Sequence, residues 1–325
     1  MPYSAKISLE DRTPVVRLIE TKDEKHRVEV AVVPSLGNRT IRMLVGEENF
    51  LFFPFAGPEA ARADRGLNGI PFLAPWANRM AGGGIRVDGQ EHRFGEGLRT
   101  DAHGLPIHGM LTVSPHWKMM TMDWDSESAQ VTSRLEFWRH PELMANWPFA
   151  HTYEMTHRLA NGELEIRTRI LNLDARRMPV AIGFHPYFQL PGVERQKAFV
   201  KVPVRRHVET DDRLVATGEF REVSFPARVA LADNTFDDGF VGLESGQDGM
   251  SEFIFEGGGR RVEVKFGPRY TVAIVYSPRG QEFLCFEPMT SITNGVNLAA
   301  EGKYPDLQWV EPGGIWEESF RVKAG

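Results

Sequence analysis

Two alternating stretches joined by Asn161-Gly162 restrict the fold of this chain more tightly than any other segment. Leu164, Ile166 and Ile170 alternate with Glu165, Arg167 and Arg169, the two-residue period of a strand with one buried and one wet face. An Asn-Gly pair between two such runs signals a tight type I′ hairpin, because both central residues must take positive φ. The expected hairpin pairs residues 153–159 with 164–173, and Asp88-Gly89 between Val87 and Gln90 marks a second turn of this kind. Further strands are expected at 27–33, 39–44, 130–138, 252–255, 261–266, 271–276 and 282–287. The 31 glycines and 21 prolines are spread along the whole chain and few windows keep a helical period; residues 58–63 are the best short helix candidate. With no linker, low-complexity segment or repeat, the expectation is all-β: one large antiparallel β-sandwich and a single domain over residues 1–325.

Composition excludes several classes of function. A net charge of −6, with no basic run longer than Arg176-Arg177 or Arg205-Arg206, argues against a nucleic-acid partner. No stretch approaches the roughly 20 apolar residues of a spanning helix, so no membrane association is expected. Residues 1–20 lack the basic start and apolar core of a signal peptide. Cys285 is the single cysteine, which precludes an internal disulfide and agrees with a reducing compartment. A cytoplasmic location is the expectation. Gly82-Gly83-Gly84 is followed by no Lys-Ser/Thr and reads as a flexible turn rather than a phosphate loop.

The chemistry-bearing residues lie in five separated segments. His185, in GFHPYFQL (residues 183–190), would share a strand face with Ala181 and Gly183, whose small size leaves room beside an imidazole. Pro186 disfavours helical geometry at His185 and removes the next backbone donor, so the segment should stay extended and then leave regular pairing. Such a histidine faces either a groove or the core. Glu287 ends the run Phe283-Leu284-Cys285-Phe286, apolar on both faces as a central strand would be. It either emerges at the strand end as a used carboxylate or, with Pro288 following, lies in solvent. His108 sits in Leu105-Pro106-Ile107-His108-Gly109, and its spacing from His103 is not that of paired zinc ligands. Arg79 closes the apolar segment from Gly69 to Asn78, placed either to grip polar groups or to pair with an acid. Asp237, in Phe236-Asp237-Asp238-Gly239-Phe240, is a ligand for a polar substrate or part of a turn. Asp233, Thr235, Asp237 and Glu244 loosely echo a calcium loop, but Asp238 stands where its glycine belongs. No metal is expected.

Together these segments resemble the aldose 1-epimerase (galactose mutarotase) family. The resemblance rests on Asn78-Arg79, His108-Gly109, the His-x-Tyr-Phe-x-Leu of residues 185–190, the Asp-x-x-Phe of 237–240 and the Cys-x-Glu of 285–287, in that order. Trp147-Pro148-Phe149 and Glu311-Pro312-Gly313-Gly314 also look like family segments. The resemblance implies a galactose mutarotase-like supersandwich with a sugar groove on one sheet, and chemistry without metal or organic cofactor. It implies Glu287 as base, His185 as the acid that protonates the ring oxygen and His108 as a second donor. Arg79, Asp237 and Asn78 would hold the hydroxyls of a hexose. The acid and base are expected on opposite sides of one pyranose, with Tyr187, Trp76 or Phe240 as candidates to stack on it.

Pro186, Pro288 and Met110 depart from the commonest family pattern, and Glu287-Pro288 is more similar to the branch acting on hexose 6-phosphates. Arg39, Arg42 and Arg86 are the candidates to hold a phosphate. The expected protein is thus an isomerase of free or phosphorylated hexoses, working as monomer or homodimer. The alternative is a non-catalytic sugar-binding or sensing protein, which would need no matched acid and base.

Overall fold

The computed structural model describes residues 1–22, 27–64 and 66–325. Three antiparallel sheets dominate it. A nine-stranded sheet runs, in spatial order, Val229–Ala230, Phe199–Lys201, Ser251–Gly257, Arg260–Phe266, Ile315–Ala324, Glu163–Asn172, His151–Ala160, Ala129–Glu136 and Lys118–Trp124. Against it packs a sheet ordered Ala216–Glu222, Val204–Thr210, Phe236–Leu243, Val272–Ser277, Leu284–Met289, Gly183–Phe184 and Phe72–Leu73, with Tyr187–Phe188 also paired to Leu284–Met289. A five-stranded meander from Tyr3–Glu10 to Glu48–Asn49 covers one end. The layers meet through aromatic side chains. Phe184 lies 4.8 Å from Phe320, Phe286 5.2 Å from Phe253 and Phe72 5.3 Å from Tyr153, ring centre to ring centre.

The hairpin expected at Asn161-Gly162 joins His151–Ala160 to Glu163–Asn172, with φ of 54° and 74° at its two turn residues. Its turn is held by the meander: the Asn161 N–H donates to the Tyr3 hydroxyl and the Gly162 N–H to Glu20 Oε2. Asp88-Gly89 likewise turns Gly84–Val87 into Gln90–Arg93. The helix expected at 58–63 spans Pro58–Asp64.

Several elements differ from the sequence expectation. The strand expected to run to residue 138 stops at Glu136 and gives way to a 3-10 turn, Phe137–Arg139. The N-terminal strands Tyr3–Glu10 and Thr13–Thr21 and the six-residue helix Gly295–Ala300 were not foreseen. Most consequentially, the strand expected to end at Glu287 runs Leu284–Met289, so this carboxylate sits inside a strand rather than at its tip. Among the described residues no helix is long and apolar enough to cross a membrane.

Candidate active site

In the central strand Leu284–Met289, Phe286 points into the sandwich, so Cys285, Glu287 and Met289 share the opposite face. Glu287 pairs with Ile274, and Tyr276 with both Cys285 and Asp237, so the three neighbouring strands present Asp237, Ile274, Tyr276 and Glu287 on one surface. The fourth contributor is the GFHPYFQL segment. Gly183 pairs with Met289 and Tyr187 with Cys285, a register that sets His185 opposite Glu287. The chain leaves the ladder at His185-Pro186, between Gly183–Phe184 and Tyr187–Phe188, as the proline requires. Gly183 is small because a Cβ there would lie 2.9 Å from the Pro288 carbonyl oxygen and 2.8 Å from Met289 Cγ.

His108 and Asn78 arrive on a loop braced to this sheet. Both have positive φ, 62° and 56°. They are locked to each other: the His108 N–H donates to the Asn78 carbonyl at 3.0 Å, and the Asn78 N–H donates to His108 Nδ1 at 3.3 Å. Nδ1 is therefore an acceptor, so the neutral ring carries its proton on Nε2. Gly109 follows because its φ is 63° and a Cβ would lie 2.1 Å from the Ala74 carbonyl oxygen. Arg79 has the acidic partner that sequence left unidentified: its Nε donates to Asp101 Oδ2 at 2.6 Å. Its Nη1 donates to Asn78 Oδ1 at 3.1 Å, leaving the Nη2 donors for a ligand. Asp101 is partly buried, and desolvation would raise its pKa, but N–H donors from Leu105 and His103 and the Arg79 guanidinium bring it below the ordinary value.

All six residues singled out from sequence, Asn78, Arg79, His108, His185, Asp237 and Glu287, line one cavity of about 230 Å³. Arg99, Tyr187 and Tyr276 complete its polar wall. Glu287 is only 1 % exposed, which rules out the solvent position for it. His185 Nε2 lies 3.2 Å from Glu287 Oε1. The imidazole is stacked on Tyr187, ring centres 4.6 Å apart and planes within 7°, and meets His108 edge-on at 5.5 Å. The acid and base candidates thus touch each other rather than facing across a sugar ring, because they are opposite residues of adjacent strands.

Burial dominates the electrostatics. It pushes His185 down to about 3 and Glu287 well above the ordinary carboxylate value, the latter helped by Asp237 and opposed by Arg79. Both shifts favour a neutral pair that shares a single proton. Burial, then the neighbouring His185, Arg99 and Arg79, hold His108 well below the usual imidazole value, in keeping with its neutral Nε2–H form. Asp237 is raised, chiefly by desolvation.

Other candidates fall elsewhere. Trp76 is buried and stacks on Phe94 at 4.6 Å, and Phe240 packs on Phe225, so both belong to the core. Arg39 is fully buried, donating to the Gly66 and Thr112 carbonyls; Arg42 pairs with Glu10; Arg86 lines a separate surface recess. None of the three reaches the cavity. Asp237 and Glu244 are separated by the strand Phe236–Leu243, about 23 Å of extended chain, and so cannot share an ion. The donor atoms of His185, Cys285 and Glu287 lie within 4.8 Å of one another, close enough for a cation, but burial pushes the Cys285 thiol up and keeps it protonated. Arg99, Tyr276 and Asp101 were missed by sequence reasoning. Only Tyr276 left a signal, being two residues from Ile274 in an expected strand.

The family model for aldose 1-epimerase matches residues 58–323. This chain belongs to the aldose 1-epimerase family. Among solved structures it is similar to a galactose mutarotase-like protein from Clostridium acetobutylicum, with 19% identity, a TM-score of 0.87 and coverage of 100% of this chain and 99% of that one. It is also similar to a galactose 1-epimerase from Lactobacillus acidophilus, with 16% identity, a TM-score of 0.77 and 99% coverage of each chain. At these identities the two structures speak to the shared fold. The expected mutarotase-like β-sandwich is the fold observed.

Proposed function

We propose that this protein is a cofactor-independent aldose 1-epimerase that interconverts the α and β anomers of a hexose, with Glu287 as base and His185 as acid. The observation that carries this reading is the buried His185–Glu287 contact in a cavity whose remaining wall bears hydroxyl-binding groups. Mutarotation removes the anomeric hydroxyl proton and protonates the ring oxygen. Both oxygens are bonded to C1, so a touching acid and base can serve the two from one edge of the ring.

Proton bookkeeping closes on this pair. In its resting neutral form the proton lies on Glu287 and points at His185 Nε2; transfer across 3.2 Å gives carboxylate and imidazolium without changing the count. Glu287 then takes the anomeric proton while His185 delivers its own to the ring oxygen, and the C1–ring-oxygen bond breaks. The pair is again neutral and the sugar is the open aldehyde. Rotation about C1–C2 presents the other carbonyl face. Closure returns the ring-oxygen proton to His185 and gives Glu287's proton to the carbonyl oxygen. His108 supplies a fixed Nε2–H beside the ring oxygen, where alkoxide charge develops. Arg79 Nη2, Asp237 and Asn78 hold the hydroxyls remote from C1 so that only the reacting end turns.

A binding protein would have no use for two ionisable groups stripped of water and pressed together, since each is desolvated at a cost that mere binding does not offset. The decisive experiment is anomer exchange, followed by NMR saturation transfer with free and 6-phosphorylated hexoses. Exchange above the buffer rate for at least one sugar is expected. If every sugar exchanges only at the buffer rate, the enzymatic reading fails.

A further inference from the structure

We infer that His116, His140 and Glu142 form a binding site for a divalent transition-metal ion of the zinc class, separate from the sugar cavity. His116 lies in the turn before the edge strand Lys118–Trp124, and His140 and Glu142 open the short helix Pro141–Met144. His116 Nε2 is 3.2 Å and His140 Nδ1 3.6 Å from the same carboxylate oxygen, Glu142 Oε1. With metal–ligand bonds of about 2.05 Å, those separations subtend about 103° and about 123° at a shared ion, either side of the tetrahedral angle. The donor atoms of all three residues lie within 4.8 Å of one another.

The two imidazoles are stacked, ring centres 3.8 Å apart and planes inclined by 27°. The stack holds both rings beside one carboxylate oxygen, so the three donors converge on a single point. Lys118 works against a cation and Glu136 for it, leaving Glu142 as the anion that decides the balance. Two imidazoles and one carboxylate match zinc's preferred donors, and the exposed side of Glu142 leaves a fourth position for water. A bound ion would tie the turn at His116 to the 137–144 segment. None of the three residues lines the sugar cavity.

The test uses the full chain, stripped of metal with a chelator and titrated with Zn2+ by calorimetry and with Co2+ by visible absorption. One ion per chain and the absorption of a four-coordinate Co2+ are expected. His116→Asn, His140→Asn and Glu142→Gln should each weaken binding at least tenfold while leaving the circular dichroism and anomer exchange of the metal-free protein unchanged. The partly exposed positions of these side chains make folded variants the expected result, and Glu142→Gln alters only one surface charge. Absence of stoichiometric binding at millimolar Zn2+ overturns the proposal. So does binding that survives both histidine substitutions, which would place the ion elsewhere.

Discussion

Glu287→Gln separates chemistry from architecture more cleanly than any other change in this protein. The carboxyl is buried, which pushes its pKa well above the ordinary carboxylate value, and in the proposed neutral resting form it donates toward His185 Nε2 at 3.2 Å. A glutamine amide has nearly the same shape and offers an N–H donor to the same nitrogen, so the resting contact is kept. The expected change in stability is therefore under about 1 kcal/mol, the scale of one exchanged hydrogen bond. Sugar affinity should move less than about threefold, since shape and hydrogen-bonding capacity persist. What disappears is the ability to accept the anomeric proton, and loss of a positioned general base costs about 10²–10⁴ in kcat. The assay pairs saturation-transfer NMR for kcat with calorimetric sugar binding and a urea titration. A kcat within threefold of the parent would refute Glu287 as base. A large loss of stability would refute the protonated resting state.

Other perturbations address the remaining groups. Asp237→Ala removes a charged hydrogen-bond partner and should raise KM about tenfold or more with little change in kcat; an effect confined to kcat would contradict the gripping role. Asn78→Gly keeps the left-handed backbone and the N–H that fixes His108 but deletes the acceptor for Arg79 Nη1, so KM should rise while kcat holds; the reverse split would sink this account. Because His185 is depressed to about 3, kcat should show no inflection near pH 6.5 and should fall only well below pH 5; halving of the rate between pH 7 and 6 would show that the imidazole titrates normally. His157 is fully buried and depressed to about 3, so its contribution to stability is complete above its unfolded value near 6.5 and is lost as pH falls toward 3. At pH 5 that loss is about 2 kcal/mol, and His157→Leu should lack this part of the pH dependence in urea titrations at pH 7 and 5; parallel curves for parent and variant would refute it.

Local rules were legible in the sequence and long-range register was not. Asn161-Gly162 specifies its own hairpin because two positive φ angles admit few other residues, and the 27–33 strand was readable from its run of valines. The helix Gly295–Ala300 was not, since six residues are too few to display a period. Tyr3–Glu10 does alternate, Tyr3, Ala5, Ile7 and Leu9 against Ser4, Lys6, Ser8 and Glu10, and was overlooked; it is an edge strand whose Ile7 and Leu9 remain exposed. The six site residues were separately identifiable, and the cavity gathers all of them. The mutual contact of His185 and Glu287 could not be foreseen, because it depends on Gly183 meeting Met289 across a ladder between distant segments. Arg99 lies in a loop with no pattern to mark it.

The two prolines that depart from the common family pattern acquire a shared meaning in that register. Pro186 follows His185 and Pro288 follows Glu287, and the residue before a proline is driven out of the helical region into extended geometry. Each reactive side chain is therefore carried on a backbone whose conformation the next residue restricts. Extended geometry on both strands sends the side chains perpendicular to the sheet, and the Gly183–Met289 and Tyr187–Cys285 pairs bracket them at one level. Held face to face in this way, His185 Nε2 and the Glu287 carboxyl partner each other, whereas an unpartnered buried carboxyl would cost several kcal/mol. In the proposed reaction, the same restriction that keeps the pair tolerable in the fold holds acid and base on one edge of the ring, so the prolines would act on the geometry of the reaction before they bear on the choice of sugar.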